Sequence, residues 1–204
     1  PRSYAVYAEV QRQLLITLLH VQAELRQTRF YPHYLELPIQ NHTAFPPLKA
    51  LTEDGHSLQI EGIIDRVDTC ELDGKTCVRI IDYKSGTKSF SFENLRYGLD
   101  MQMLIYLFSL IYNQTPLQDA KIGGVLYMPA GGVKTNQERG SAKSKQELEQ
   151  DAYRMSGLLI DDAERIRCME PDGKGIYIPA KLKAGTSGAS AVSYTHLTLP
   201  TNSL

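Results

Sequence analysis

The sequence predicts an α/β fold, a central mixed β-sheet flanked by helices, on three observations. Ile60–Gly86, IEGIIDRVDTCELDGKTCVRIIDYKSG, reads as a long β-hairpin. Ile122–Met128, which contains GVLYM, is a short continuous apolar run of the kind that fills the middle of a sheet. Tyr4–Gln27, Phe92–Tyr112 and Glu147–Met169 carry apolar residues at helical spacing. With 204 residues, 42% hydrophobic and 22% charged, the chain can bury one substantial core, so a single domain is expected.

In chain order, the first element is an amphipathic helix over Tyr4–Gln27, because Val6, Val10, Leu14, Leu18, Val21 and Leu25 recur every three or four residues. His20 in this helix is read as a surface or boundary residue. Pro32 and Pro38 bracket a short strand, HYLEL, with Tyr34 and Glu36 on one face and Leu35 and Leu37 on the other. Glu36 is either a contributor to a site on that face or, as an isolated acid, solvent-exposed.

The hairpin follows from Asp73-Gly74, a strong two-residue turn signal, flanked by runs rich in Ile, Val and Thr. If Leu72 pairs with Lys75, Cys70 falls opposite Cys77, Asp68 opposite Arg79 and Asp65 opposite Asp82. The last pair occupies a non-hydrogen-bonded position, where side chains approach most closely. Two carboxylates there repel each other unless a divalent cation preferring hard oxygen ligands joins them. Lys84, two residues beyond Asp82, returns to the same face. The same pattern fits an exposed acidic pair beside a solvated lysine, and the hairpin alone leaves both readings open. Asp68–Arg79 reads as a cross-strand ion pair worth little beyond alignment. Arg66 lies on the face away from Asp65 and Asp82 and is left out of the site. Cys70 and Cys77 are expected to be free thiols able to form a disulfide only under oxidising conditions, and Cys168 stands alone, without metal-ligand spacing.

Phe92–Tyr112 is the second helix, with Leu95, Leu99, Met103, Tyr106 and Leu110 as its apolar stripe and Gln102 and Tyr106 as neighbours one turn apart. GVLYM is the next strand. Pro129–Lys145, with Lys134, Arg139, Lys143 and Lys145, is a polar loop that is either solvated or in contact with a phosphate backbone. Glu147–Met169 is expected to be one helix, ended by Glu170-Pro171-Asp172-Gly173.

The formal net charge of -1 gives no global attraction to nucleic acid, so any such contact must be local or belong to a larger assembly. No apolar run approaches a membrane span, and the first residues lack the order of a signal peptide, so a cytoplasmic protein is expected.

Four stretches, in order, resemble a known family: Glu36; then Gly62-x-Ile64-Asp65-Arg66-x-Asp68; then Ile81-Asp82-Tyr83-Lys84-Ser85-Gly86; then Gln102-x-x-x-Tyr106. They are similar to the RecB-type branch of the PD-(D/E)xK nucleases. Within it they most resemble the C-terminal nuclease domains of AddB, the B component of bacterial ATP-dependent helicase-nucleases. Tyr97–Leu104, GVLYM and Arg154–Leu159 add to the likeness, which runs from about Tyr4 to Lys183.

The resemblance implies a restriction-endonuclease-like core and metal-dependent hydrolysis of DNA by an exonuclease, within a helicase-nuclease complex for double-strand break repair and recombination. Asp65, Asp82 and the Tyr83 main-chain carbonyl would bind Mg²⁺, or Mn²⁺, with Glu36 helping directly or through water. Lys84 would orient the attacking water or stabilise charge on the phosphate. Gln102, Tyr106 and Lys88 would contact DNA, with Gln102 also positioning the water. DNA and an AddA-type helicase-nuclease subunit are the implied partners.

The chain departs from the family pattern in two ways. The upstream histidine that completes the metal shell in relatives has no counterpart, and that role is not transferred to His20. The cysteines of the family's iron-sulfur cluster are also absent, so no cluster is expected. The domain is therefore read as residues 1–191, truncated at both ends. Residues 192–204, SYTHLTLPT among them, resemble adapter read-through and are read as a non-native tail. A non-catalytic DNA-binding or assembly module that keeps the fold is the alternative, and a plain interaction domain the third reading.

Overall fold

The computed structural model describes residues 2–85, 94, 95, 97, 101–131 and 144–182. Lys88, Leu99, Lys134, Arg139, Lys143 and the 192–204 tail lie outside the described residues. The elements are α1 (Arg2–Gln27), β1 (Tyr31–Ile39), β2 (Lys49–Leu51), β3 (Ser57–Gln59), β4 (Gly62–Leu72), β5 (Lys75–Lys84), α2 (Gln102–Tyr112), β6 (Lys121–Pro129), α3 (Lys145–Tyr153), β7 (Ser156–Leu159) and α4 (Ala163–Met169).

A five-stranded sheet, ordered β1-β4-β5-β6-β7, forms the centre, and β2–β3 make a separate small ribbon. β5 and β6 are parallel and every other pairing is antiparallel, so the sheet is mixed. The hairpin has the predicted register, with Leu72 opposite Lys75, Cys70 opposite Cys77 and Asp68 opposite Arg79. Its turn places Asp73 at φ 54° and Gly74 at φ 70°, the left-handed pair that a two-residue primed turn requires.

Strand alternation sorts the core into two layers. Val67, Val78, Ile80 and Val125 face α2 through Met103, Leu107 and Leu110. Cys70, Cys77, Ile81, Leu126 and Met128 face Phe30, Ile166, Met169 and Ile178. The three cysteines are free and buried, as expected for thiols used as small apolar groups. Among the described residues no helix is long and apolar enough to cross a membrane.

α2 begins only at Gln102, with Tyr97 in a turn, so the helix expected over Phe92–Tyr112 is not one continuous helix, and three further expectations need correction. The apolar stripe of α1 is not its docking face: Val6, Val10, Leu14 and Leu18 are exposed, and the helix instead turns Thr17 and Glu24 inward. The reason is Asp68–Arg79, which is not a surface pair but part of a fully buried group of four charges, completed by Arg66 and Glu24. Burying Glu24 against two guanidinium groups fixes which side of α1 meets the sheet.

The second correction concerns Glu147–Met169, which is not one helix. A capping box at Ser144 and Glu147 starts α3, β7 interrupts, and Asp162 caps α4 by accepting from Arg165 N. Gly157 explains the interruption: at φ 144° its backbone lies so close to β6 that a Cβ would stand 2.1 Å from Val125 O. A glycine shaped for close strand contact overrides the helical spacing around it. The third is β1, where Leu35 is exposed and Leu37 buried although two residues apart, because Glu36 between them adopts φ 50°.

Candidate active site

Asp65, Asp82 and Lys84 are positioned by the open end of the β4–β5 hairpin. The ladder's last rung is Arg66–Ile81, and Asp65 and Asp82 each stand one residue beyond it. Asp82 alternates with Ile80 and so projects on the sheet face that carries α2. Ile64 and Val67, three apart, both pack into that layer, so the alternation of β4 breaks around Asp65. Asp65 Oδ2 accepts a hydrogen bond of 2.8 Å from Tyr83 N, which ties the carboxylate of one strand to the backbone of the other. On its far side Asp82 is in register with Tyr127 of β6.

The electrostatics centre on Asp82. Its Oδ2 is buried, and Lys84 Nζ lies 2.5 Å away as an ion pair. The same ammonium stands 5.5 Å from the Tyr127 ring centroid. A carboxylate oxygen withdrawn from water is a place where a cation is favoured, and the Lys84 ammonium takes that place here. The donors there are hard oxygens, the type Mg²⁺ and Mn²⁺ prefer, so the residues fit such an ion.

The other predicted residues are less closely gathered. Leu35–Arg66 and Leu37–Ile64 are paired, which leaves Glu36 across from Asp65 in the same register, exposed and at positive φ. Among the described residues no three His, Cys, Asp or Glu side chains are grouped closely enough to hold a metal by themselves. Gln102 is exposed at the start of α2, and its Nε2 donates to Tyr106 Oη at 2.6 Å. Tyr106 itself is buried, and its hydroxyl donates to Glu61 O at 3.4 Å. Its direct surroundings are therefore core rather than solvent, and Gln102 is the member of the pair at the surface.

The opposite face holds a group whose extent the sequence pattern did not show. Arg66 binds Asp68 through two 2.6 Å hydrogen bonds, from Nε and Nη2, and its Nη1 donates to Tyr83 Oη at 3.2 Å. Arg79 donates to Asp68 at 2.9 Å and to Glu24 at 2.7 Å. Burial works against the Arg66 cation, but the hydrogen bonds and charge of Asp68 outweigh it and hold its pKa above the usual arginine value. The sequence signal for this cluster is slight: Glu24 stands three residues after Val21 and next to Leu25 of the apolar stripe.

A profile of the PD-(D/E)XK nuclease superfamily matches residues 2–174. The chain is 32% identical over 200 residues to the B subunit of the ATP-dependent helicase/deoxyribonuclease of Clostridium acetobutylicum, covering 95% of this chain and 17% of that protein. It is 33% identical over 198 residues to the protein of the same name from Clostridium novyi, covering 93% of this chain and 17% of the relative. The Exiguobacterium sibiricum counterpart is 35% identical over 159 residues, 75% of this chain and 13% of its own length. The chain thus spans about a sixth of the first of these relatives. A mixed sheet with two carboxylates and a lysine at the mouth of its central hairpin is the arrangement in which this match is found, and the chain belongs to the PD-(D/E)XK nuclease superfamily.

Proposed function

We propose that the chain is a divalent-metal-dependent nuclease domain that hydrolyses DNA phosphodiester bonds, as an exonuclease, within a helicase-nuclease subunit acting in double-strand break repair and recombination. The observation that carries this reading is the buried Asp82 Oδ2 paired with the Lys84 ammonium at 2.5 Å, beside Asp65. Asp65, Asp82 and the Tyr83 carbonyl would hold Mg²⁺ or Mn²⁺, with Glu36 contributing through water from the adjoining strand. When bound, such an ion polarises a phosphate and acidifies water at the site.

The chain's own residues do the rest. Lys84 is the counter-charge of Asp82, and with a cation there its ammonium turns to orienting water or offsetting charge developing on the phosphate. Gln102 contacts the DNA backbone or positions the water, and Tyr106 acts through the hydrogen bond it accepts from Gln102. Lys88 supplies a further backbone contact. An AddA-type helicase-nuclease subunit is the proposed partner, in the cytoplasm.

The test compares this chain with Asp65→Ala and Asp82→Ala in Mn²⁺ calorimetry and in cleavage of linear single-stranded DNA. Each substitution is expected to remove both binding and cleavage. Metal-stimulated cleavage persisting in a pure Asp82→Ala preparation would place the chemistry elsewhere. DNA binding without products would favour the non-catalytic module.

A further inference from the structure

We propose that Tyr83, held by Arg66, is a positioning residue that sets the spacing of Asp65 and Asp82 and so the affinity of the site for its cation. This role rests on the metal-dependent reading of the site. Its starting point is the end of the β4–β5 ladder at Arg66–Ile81. The residues that carry the chemistry, Asp82 to Lys84, lie past that rung. On one side β6 still holds them, through Asp82–Tyr127, Tyr83–Met128 and Lys84–Pro129.

On the β4 side two contacts take over from the ladder, and both are made by Tyr83. Its amide donates to Asp65 Oδ2 at 2.8 Å, and its hydroxyl accepts from Arg66 Nη1 at 3.2 Å. Two consecutive β4 residues therefore grip one β5 residue at both ends. Arg66 is suited to the task because its Nε and Nη2 are both committed to Asp68, which leaves Nη1 in a fixed direction. Asp68 is in turn held by Arg79, and Arg79 by Glu24, all buried. The Tyr83 ring lies on the sheet face opposite Asp82, so it acts through its peptide rather than by touching the ion. Loss of its hydroxyl frees the peptide whose amide anchors Asp65 and whose carbonyl is a proposed ligand.

The experiment is a Mn²⁺ titration by calorimetry on the 204-residue chain, its Tyr83→Phe variant and Asp82→Ala. Tyr83→Phe keeps the ring, amide and carbonyl and removes the hydroxyl alone. It is expected to weaken Mn²⁺ binding about tenfold, as the loss of an outer-shell partner does. The metal concentration for half-maximal cleavage rises in parallel, while KM for DNA stays near that of the parent and the melting temperature falls by a few degrees at most, because Arg66 Nη1 loses an acceptor. A merely structural role would move the melting temperature and leave the metal dependence unchanged. Tyr83→Phe binding Mn²⁺ like the parent, with Asp82→Ala losing it, overturns the positioning role and leaves the metal site standing. A folded parent chain that binds no Mn²⁺ overturns the metal reading and the positioning role with it.

Discussion

At Gly62 the backbone has no space for a side chain, because an added Cβ would come within 1.7 Å of Tyr106 Oη and 2.7 Å of its Cζ. The glycine of the Gly62-x-Ile64-Asp65 stretch thus serves the tyrosine of Gln102-x-x-x-Tyr106, which ties two separated motifs to one packing contact. Gly62→Ala is expected to destabilise the chain by about 1–3 kcal/mol through overpacking. Tyr106→Phe alone should cost about 1 kcal/mol, from the hydrogen bonds with Gln102 and Glu61. Combined, they should cost less than the sum, because the phenylalanine removes the nearest clashing atom. Urea denaturation of the parent, both single variants and the double variant reads this coupling, and strict additivity would show that the clash is relieved by backbone movement instead. The same contact explains why Gln102 is exposed while Tyr106 is not: the tyrosine fills the space over Gly62 and presents its hydroxyl at the boundary.

Among the elements, α1 shows most directly how charge can override apolar spacing. Its exposed stripe includes Leu14 and Leu18, each 56% exposed, whereas Glu24 is 0% exposed. Leu14→Glu and Leu18→Glu should therefore change unfolding free energy by no more than about 0.5 kcal/mol. Glu24→Ala leaves Arg66 and Arg79 short of a buried counter-charge and should cost about 3–5 kcal/mol. Equilibrium denaturation distinguishes them, and a Leu14→Glu penalty matching that of Glu24→Ala would mean the stripe is the docking face after all. The hairpin was legible because an Asp-Gly turn fixes register locally, and every rung from Leu72–Lys75 to Arg66–Ile81 follows from it. The expected Asp65–Asp82 pair lies one residue past the last rung, so placing the two carboxylates opposite each other extends the register beyond the ladder the strands form. What decided α1 was a contact between Glu24 and Arg79, 55 residues apart, which no local period encodes. β7 was hidden for a related reason, since Gly157 is explained by the approach of β6 rather than by its own neighbours.

Across the whole molecule, His20 marks the place where the first helix meets the end of α3 and the last described segment. Its ring lies 5.5 Å from Tyr153 and 5.1 Å from Tyr177, centroid to centroid, and Met155 N donates to Tyr177 O at 2.9 Å to close the junction. His20 Nε2 is buried without a hydrogen-bond partner. Burial lowers the imidazole pKa below 6.5, and a hydrogen bond with the Tyr153 backbone only partly opposes it. The ring is thus neutral in the folded chain at neutral pH. Unfolding returns the imidazole to its ordinary pKa, so the unfolded chain binds more protons once the pH drops below 6.5. Stability from this group is fully present above that pH and declines as the pH falls. Glu24 on the same helix and Glu170, which binds the Ile176 and Tyr177 amides, are the nearby acids that bear on the junction. His20→Phe keeps a ring between Tyr153 and Tyr177 and removes the titrating group. Urea denaturation from neutral pH down to about pH 5 should show the parent losing stability while the variant stays flatter. Parallel curves for the two proteins would show that the acid sensitivity does not arise at His20.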